Sequence, residues 1–182
     1  MASPLGGRSG ATILICVLLL AGVWFLVRSG PGADAPAVGH RAPDYRVARL
    51  SGGDSIGVRS DYAGHVTLVN IWATWCAPCI KEMPSIERAY QAYRARGFRV
   101  AAVSIDAGSA APVAAFAEKL GLTFDILLDR IGEIQAAYQT VGVPESFLLD
   151  KRGRITYVAL GGDAWDSTEN RQRIEQLLRA GD

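Results

Sequence analysis

Residues 66–84 of this 182-residue chain, VTLVNIWATWCAPCIKEMP, carry the most informative pattern in its sequence. The first part of this stretch, Val66–Trp72, is an apolar and β-branched run that is typical of a strand buried on both faces of a parallel sheet. After Cys79, apolar and aromatic side chains recur at helical spacing as far as Arg96, and Gly97 stands where a C-terminal cap would. The stretch therefore predicts a strand, a turn that carries two cysteines, and a helix.

Strands and helices alternate on either side of this unit. A short hairpin is predicted before it, and a second hairpin precedes the last helix. This order favours an α/β fold with a mixed central sheet flanked by helices. The predicted strands are Tyr45–Leu50, Ser55–Val58, Val66–Trp72, Phe98–Ile105, Phe124–Leu128, Ser146–Leu149 and Ile155–Leu160, and the predicted later helices are Pro112–Leu120, Gly132–Gln139 and Ser167–Arg179.

An apolar segment lies near the N-terminus. Nineteen uncharged residues separate Arg8 from Arg28, and as a helix they would extend about 28.5 Å, close to the roughly 30 Å hydrocarbon core of a bilayer. The segment lacks the polar face of an ordinary surface helix. We therefore expect a membrane anchor over residues 1–28, a linker over residues 29–42 and a globular domain over residues 43–182.

The alternative for this segment is a cleaved signal peptide. Ala33-Asp34-Ala35 resembles a cleavage site only loosely, and it lies beyond the usual distance from the apolar run. A retained, single-pass anchor in the cytoplasmic membrane is the favoured interpretation. Its short N-terminal tail would face the cytoplasm, and the globular domain would face the periplasm or the outer side of the cell.

The overall composition excludes several classes of protein. There are 19 Lys and Arg against 18 Asp and Glu, and 49% of the residues are hydrophobic. A disordered tail protein would have fewer hydrophobic residues, and a polybasic nucleic-acid binder would have a clear excess of Lys and Arg. No nucleic-acid partner is therefore expected.

Cys76 and Cys79 are the candidate catalytic residues. At a helix N-terminus, unpaired backbone N–H groups stabilise a thiolate, which makes Cys76 the attacking nucleophile. Cys79, one turn further along, becomes the resolving thiol, which closes a redox-active Cys76–Cys79 disulfide and releases the partner. The spacing and placement predict thiol–disulfide exchange.

Two other uses of these cysteines are less well supported. A zinc site would need two more ligands, and His40 and His65 lie outside any finger-like spacing. A peroxidase would want a threonine three residues before a lone reactive cysteine, where this chain has Ala73. No metal or cofactor is predicted, because the thiols alone carry the exchange.

The sequence also resembles a known family. The stretch 66–84, together with Val143-Pro144-Glu145-Ser146-Phe147, is similar to the thioredoxin-like proteins of the TlpA/ResA type, which include the DsbE/CcmG group. The resemblance extends over about residues 42–182 and implies a thioredoxin-like fold. It also implies a membrane-anchored bacterial thiol:disulfide oxidoreductase, and many members of the family reduce apocytochrome c before haem attachment.

The resemblance implies a substrate-binding groove as well. Val143-Pro144 matches the cis peptide bond that the family has beside its cysteines, where neighbouring backbone groups can pair with an extended peptide. Glu145 is expected near this groove, and a solvated loop position is its alternative. Trp75 is expected to cover the rim of the active site and to offer an apolar contact.

Glu82 is the third candidate catalytic residue. It follows Cys79 by three positions, so the two share a helix face, and its carboxylate could exchange a proton with the Cys79 thiol. The family has a functional acid at this position. A surface residue paired with a nearby base is the alternative. Asn70 supports the catalytic interpretation of Glu82. It stands where thioredoxin has a buried Asp that assists proton transfer, and because an amide cannot titrate, another acid is needed for that role.

The favoured function is a membrane-tethered enzyme that reduces disulfides in other proteins. The same exchange in reverse would make it an oxidant of folding proteins, and a binding module for apocytochrome c or a partner reductase is a third hypothesis. A reductant outside the cytoplasm must be re-reduced across the membrane. We therefore expect a transmembrane electron donor of the DsbD/CcdA kind.

Overall fold

The computed structural model describes residues 13–21 and 36–181, which belong to two separate units. Residues 13–21 are helical and form α1. Within these described ranges, no helix has both the length and the apolar character that a bilayer span requires. Residues 1–12 and 22–28 of the expected anchor lie outside the described residues, as does the beginning of the expected linker. The anchor stays a prediction.

Seven strands form one mixed sheet in the second unit. In chain order they are β1 (Arg46–Arg49), β2 (Ile56–Gly57), β3 (Val66–Trp72), β4 (Phe98–Ser104), β5 (Asp125–Leu128), β6 (Glu145–Leu149) and β7 (Ile155–Leu160). Their order across the sheet is β2-β1-β5-β4-β3-β6-β7. β3, β4 and β5 run parallel, whereas β6 is antiparallel to both β3 and β7. The prediction of a mixed sheet is confirmed.

The N-terminal hairpin is a continuation of this sheet. β1 pairs antiparallel with β2, as expected, and it also pairs antiparallel with β5 through Ala48 and Arg49. The hairpin therefore extends the central sheet at one edge. At the other edge, the backbone N–H of Gly39 donates to Ile155 and that of Ala42 donates to Gly153. Contacts of the domain thus begin before residue 43, where the sequence predicted its start.

β3 is buried on both faces because helices cover both faces of the sheet. All seven of its residues are buried, and Leu68 and Trp72 enter one core cluster while Val69 and Ile71 enter the other. This is the alternation that a strand imposes. The helices are α2 (Ala77–Tyr93), α3 (Ala111–Leu120), α4 (Glu133–Ala137) and α5 (Thr168–Arg179). Apolar side chains of α2, α3 and α5 join the first cluster, and those of α4 join the second.

Positive backbone dihedrals set two helix ends that the sequence placed differently. α4 was expected over Gly132–Gln139, but Gly132 has φ 74° and Gln139 has φ 50°, which an α-helix cannot contain. α2 ends at Tyr93, and the expected last turn, Arg94–Arg96, is a 3-10 turn. Gly97 closes it with φ 97°, as the sequence predicted for a C-terminal cap.

Candidate active site

Cys76 and Cys79 form a disulfide at the first turn of α2, with an S–S distance of 2.06 Å. Cys76 is the N-cap residue, and its Sγ accepts a hydrogen bond from the backbone N–H of Cys79 at 3.2 Å. The unpaired N–H groups and the positive end of the helix dipole thus surround the sulfur of Cys76. In the reduced state this environment favours a thiolate on Cys76.

The two cysteines differ in their access to solvent. Cys76 is 5% exposed to solvent, whereas Cys79 is fully buried. A sulfur on another protein can therefore approach Cys76 and cannot reach Cys79 directly. This difference favours Cys76 as the nucleophile and Cys79 as the resolving thiol.

The loop that precedes β6 lies directly against Cys76. The Val143-Pro144 peptide bond is cis, and the Val143 carbonyl oxygen is 3.4 Å from Cys76 Sγ. The Pro144 carbonyl oxygen accepts a hydrogen bond from Gly161 at 2.9 Å, which joins this loop to the end of β7. The Val143 carbonyl is therefore the backbone group of this loop that lies beside the reactive sulfur.

The two tryptophans that flank the motif differ in exposure. Trp75 is 67% exposed next to Cys76, whereas Trp72 is fully buried and stacks against Phe116 with ring centroids 5.0 Å apart. Trp75 can therefore contact an incoming protein. Trp72 belongs to the core.

Glu82 is a buried carboxyl. Only 3% of its surface is exposed, and its Oε1 accepts a hydrogen bond from the Trp165 indole N–H at 2.6 Å. Burial raises the pKa of the Glu82 carboxyl to about 7, although the Trp165 N–H favours the ionised form. The alternative of a surface residue paired with a base is therefore wrong. At neutral pH this group can both accept and release a proton.

Asn70 connects the centre of the sheet to this region. It is fully buried on β3 opposite Ser146 of β6, and its Nδ2 donates to Ser146 Oγ at 2.8 Å. Its amide also favours the ionised form of Glu82 to a small extent. Asn70 therefore adds polarity beside the carboxyl and no titratable group.

Glu145 supports the loop that carries the cis proline. It is the first residue of β6 and is only 6% exposed, so the alternative of a solvated loop residue does not hold. Its Oε2 accepts a hydrogen bond from the Val141 backbone N–H at 3.3 Å, and burial raises the pKa of its carboxyl. Glu145 thus closes the turn from Val141 to the start of β6. It lines a small depression of about 130 Å³ together with Val143 and Pro144.

Asp106 is a residue that sequence reasoning missed. Its carboxylate accepts hydrogen bonds from Thr74 N at 2.9 Å and from Thr74 Oγ1 at 2.6 Å, and also binds the Ser104 hydroxyl. These bonds hold the turn that leads to Cys76. A signal existed, because parallel β3 and β4 end at the same edge of the sheet and Asp106 follows β4 as Thr74 follows β3.

Trp165 was missed as well, and no sequence signal indicated it. It lies between β7 and α5, 83 positions after Glu82. Only the tertiary structure brings the indole N–H to the carboxyl.

Comparisons with known proteins agree with this geometry. A sequence profile described as the AhpC/TSA family matches residues 38–158. The chain belongs to the AhpC/TSA family. The thiol-disulfide oxidoreductase ResA of Geobacillus kaustophilus is 35% identical over 168 residues, which cover 91% of each chain. The thioredoxin-like protein YneN of Bacillus subtilis is 37% identical over 142 residues, 77% of this chain and 78% of that protein.

A solved structure confirms the fold. A Chlorobium tepidum protein assigned as a thiol:disulfide interchange protein DsbE superposes with a TM-score of 0.72 and 29% identity, over 79% of this chain and 99% of that one. The predictions of a thioredoxin-like fold and of a ResA and DsbE relationship are therefore confirmed. With its Cys76–Cys79 pair, this AhpC/TSA-family protein is a thiol-disulfide oxidoreductase.

Replacing Glu82 by Gln is expected to change how stability depends on pH. With a folded-state pKa of about 7 against an ordinary 4.5, Glu82 holds its proton more tightly in the folded protein than in the unfolded chain. The protonated Glu82 therefore contributes to the free energy of unfolding, and this contribution is complete below about pH 4.5. It is lost as the pH rises to about 7, and the total loss is about 3 kcal/mol.

Urea denaturation of the oxidised protein, from about pH 4 to about pH 8, checks this expectation. The free energy of unfolding of the wild type should fall by that amount relative to Glu82→Gln. Parallel pH curves for the two proteins would contradict the raised pKa of Glu82.

Proposed function

We propose that this thiol-disulfide oxidoreductase is a protein-disulfide reductase, anchored in the cytoplasmic membrane with its catalytic domain on the outer side. The observation that carries this proposal is the buried Glu82 carboxyl one helical turn beyond Cys79, where it can serve the resolving thiol. A carboxyl with a pKa of about 7 can take the proton of a resolving thiol at neutral pH. Cys79 must lose that proton before it can complete a reduction.

The first step uses the N-cap position of Cys76. Its thiolate attacks one sulfur of a substrate disulfide, the substrate S–S bond breaks, and the other substrate sulfur leaves as a thiolate that takes a proton from solvent. A mixed disulfide between Cys76 and the substrate remains. The Cys79 N–H, 3.2 Å from Cys76 Sγ, stabilises the sulfur before attack.

The second step uses Cys79 and Glu82. The Cys79 proton passes to Glu82, and the resulting thiolate attacks Cys76 Sγ. The bond between Cys76 and the substrate breaks, and the second substrate sulfur leaves as a thiolate and is then protonated. The enzyme is left with the Cys76–Cys79 disulfide, having passed two electrons to the substrate.

The surface around Cys76 fits an extended segment of a protein substrate. Trp75, the residue before Cys76, is exposed, and the Val143 carbonyl oxygen lies 3.4 Å from Cys76 Sγ. A backbone carbonyl beside the reactive sulfur can accept an N–H from the incoming chain, as an added strand would. Val143, Pro144 and Glu145 would then contact the residues next to the substrate cysteine.

Apocytochrome c is the candidate substrate, because the TlpA/ResA-type proteins that the sequence resembles include many that reduce it before haem attachment. The oxidised enzyme must regain two electrons for each turnover. A transmembrane donor of the DsbD/CcdA kind would supply them from the cytoplasmic side.

Cysteine variants should separate an enzyme from a binding module. Cys76→Ser is expected to abolish turnover because it removes the nucleophile, whereas Cys79→Ser should accumulate a mixed disulfide with substrate because resolution fails. Reduction of insulin disulfides, followed by non-reducing electrophoresis, measures both effects. Cys16→Ser is the matched control and should keep wild-type turnover. Turnover by Cys76→Ser would contradict the mechanism.

The reduction potential should identify the direction of electron flow. For a reductant, the Cys76/Cys79 couple is expected at or below about −200 mV, toward the value of thioredoxin, whereas an oxidant of the DsbA kind would lie near −120 mV. Equilibration with glutathione or dithiothreitol buffers, monitored by tryptophan fluorescence, gives this value. A potential near −120 mV would overturn the reductant proposal in favour of an oxidant.

Membrane attachment has its own test. The full chain, expressed in a bacterial host, should remain in the membrane fraction after alkaline carbonate extraction, because nineteen consecutive uncharged residues would be buried in lipid. A variant that lacks residues 1–35 should be released as a folded protein with the same potential. Recovery of the full chain in the carbonate supernatant would overturn the anchor.

A further inference from the structure

Trp165 holds one oxygen of the Glu82 carboxyl. It is fully buried, and its Nε1–H donates to Glu82 Oε1 at 2.6 Å. Hydrogen bonds to ionised carboxylates are shorter and stronger than those between neutral groups. Among the described residues, this carboxyl is the hydrogen-bond partner of the indole N–H.

The loop that carries Trp165 is itself held in place. The Trp165 backbone N–H donates to Ser85 Oγ at 3.1 Å, and the same hydroxyl donates to the Glu82 carbonyl at 2.8 Å. Asn170 of α5 donates to the Ala164 carbonyl at 3.0 Å, and the Tyr157 ring meets the indole edge-to-face, with ring centroids 6.1 Å apart. The indole is therefore fixed by contacts to α2, α5 and β7.

The other carboxyl oxygen is in a different situation. Glu82 Oε2 is buried, and it has no hydrogen-bond partner among the described residues. Oε1 already accepts the Trp165 N–H, so Oε2 is the oxygen that is left without a partner in the described part of the chain. The carboxyl thus has one occupied oxygen and one open oxygen.

Several groups besides Trp165 face Glu82. Cys79 lies three positions before it on α2. The Asp163 backbone, in the loop after β7, and the Asn70 amide of β3 favour the ionised carboxylate, whereas the negative charge of Asp163 opposes ionisation. Three more charged side chains line the same open cleft of about 400 Å³; they are Lys81, Arg88 and Asp166. Among the interactions that favour the ionised carboxylate, the Trp165 hydrogen bond is the largest.

We propose that Trp165 is a positioning residue for the resolving half of the reaction. By holding Oε1, it leaves Oε2 as the atom that receives the Cys79 proton, and it keeps enough of the carboxyl ionised to do so at neutral pH. The Cys79 S–H bond breaks, the proton goes to Oε2, and the thiolate forms the new S–S bond with Cys76 as the substrate thiolate leaves. This inference rests on the proposed role of Glu82.

Trp165→Phe tests this role, since it keeps an apolar ring and removes the N–H donor. We expect the inflection in the pH profile of disulfide reduction to move up by about one pH unit. At pH 7 the rate constant should then fall about fivefold, with recovery toward the wild-type value near pH 9. A uniform loss at every pH, or an unmoved inflection, would overturn the positioning role.

Tyr138→Phe is the matched control. The Tyr138 hydroxyl is a buried donor, to the Pro43 carbonyl at 3.0 Å, and it lies in the other core cluster, away from Glu82. The variant loses a comparable buried hydrogen bond and should keep the wild-type inflection. If Tyr138→Phe shifted the inflection as much as Trp165→Phe, the cause would be a general loss of stability and not the contact with Glu82, which would overturn the positioning role.

A spectroscopic measurement on the wild type serves if Trp165→Phe does not fold. The indole ¹H–¹⁵N resonance of Trp165 should titrate with a midpoint near pH 7, and this titration should vanish in Glu82→Gln. An indole resonance that does not titrate would overturn the proposal.

The kinetics of Glu82→Gln distinguish the two levels of the argument. Slower reduction near neutral pH in this variant supports the proposed role of Glu82. Wild-type rates at every pH would remove Glu82 from the mechanism, and the positioning role of Trp165 with it. If only the Trp165→Phe expectation fails, the proposed role of Glu82 stands.

Discussion

The antiparallel pairing of β3 with β6 is the constraint on which the rest of the site depends. In its register Ile71 lies opposite Glu145, so the end of β3 and the start of β6 meet at one edge of the sheet. The turn that leads from β3 into Cys76 therefore meets the loop that leads into β6. This brings Cys76 Sγ within 3.4 Å of the Val143 carbonyl, across 67 positions of sequence. A slip of one residue would turn alternate side chains of both strands to the wrong face.

The same register builds a polar region inside an otherwise apolar sheet. Asn70 and Ser146 face each other across the pair and satisfy one another in part. Glu82 of α2 interacts with Asn70 and accepts a hydrogen bond from Trp165. A buried carboxyl costs folding free energy when it ionises. Retaining one here is consistent with a site that needs a group able to exchange a proton near neutral pH.

Local patterns predicted the elements well because local physical chemistry determines them. The bounds of β3 and of β7 agree with the sequence to the residue, since β-branched and apolar runs end there at turn residues. Gly97 was placed as a helix cap because only a flexible backbone accepts its positive φ easily. The end of α4 at Ala137 was missed, because Gln139 adopts positive φ and the sequence offers no glycine to mark the change.

The local sequence was enough to predict thiol–disulfide exchange. Two cysteines one helical turn apart, directly after a buried strand, specify a disulfide and a stabilised thiolate, since spacing and helix direction are local properties. The burial and the hydrogen-bond partners of Glu82 and Glu145 became known from the folded structure. The sequence named both as candidate site residues and left an exposed position as the alternative for each, yet both are buried. Glu82 accepts a hydrogen bond from Trp165, and Glu145 accepts one from the Val141 backbone. For Glu82, burial and a donor 83 positions away set the pKa of the carboxyl, and neither is a property of the neighbouring sequence.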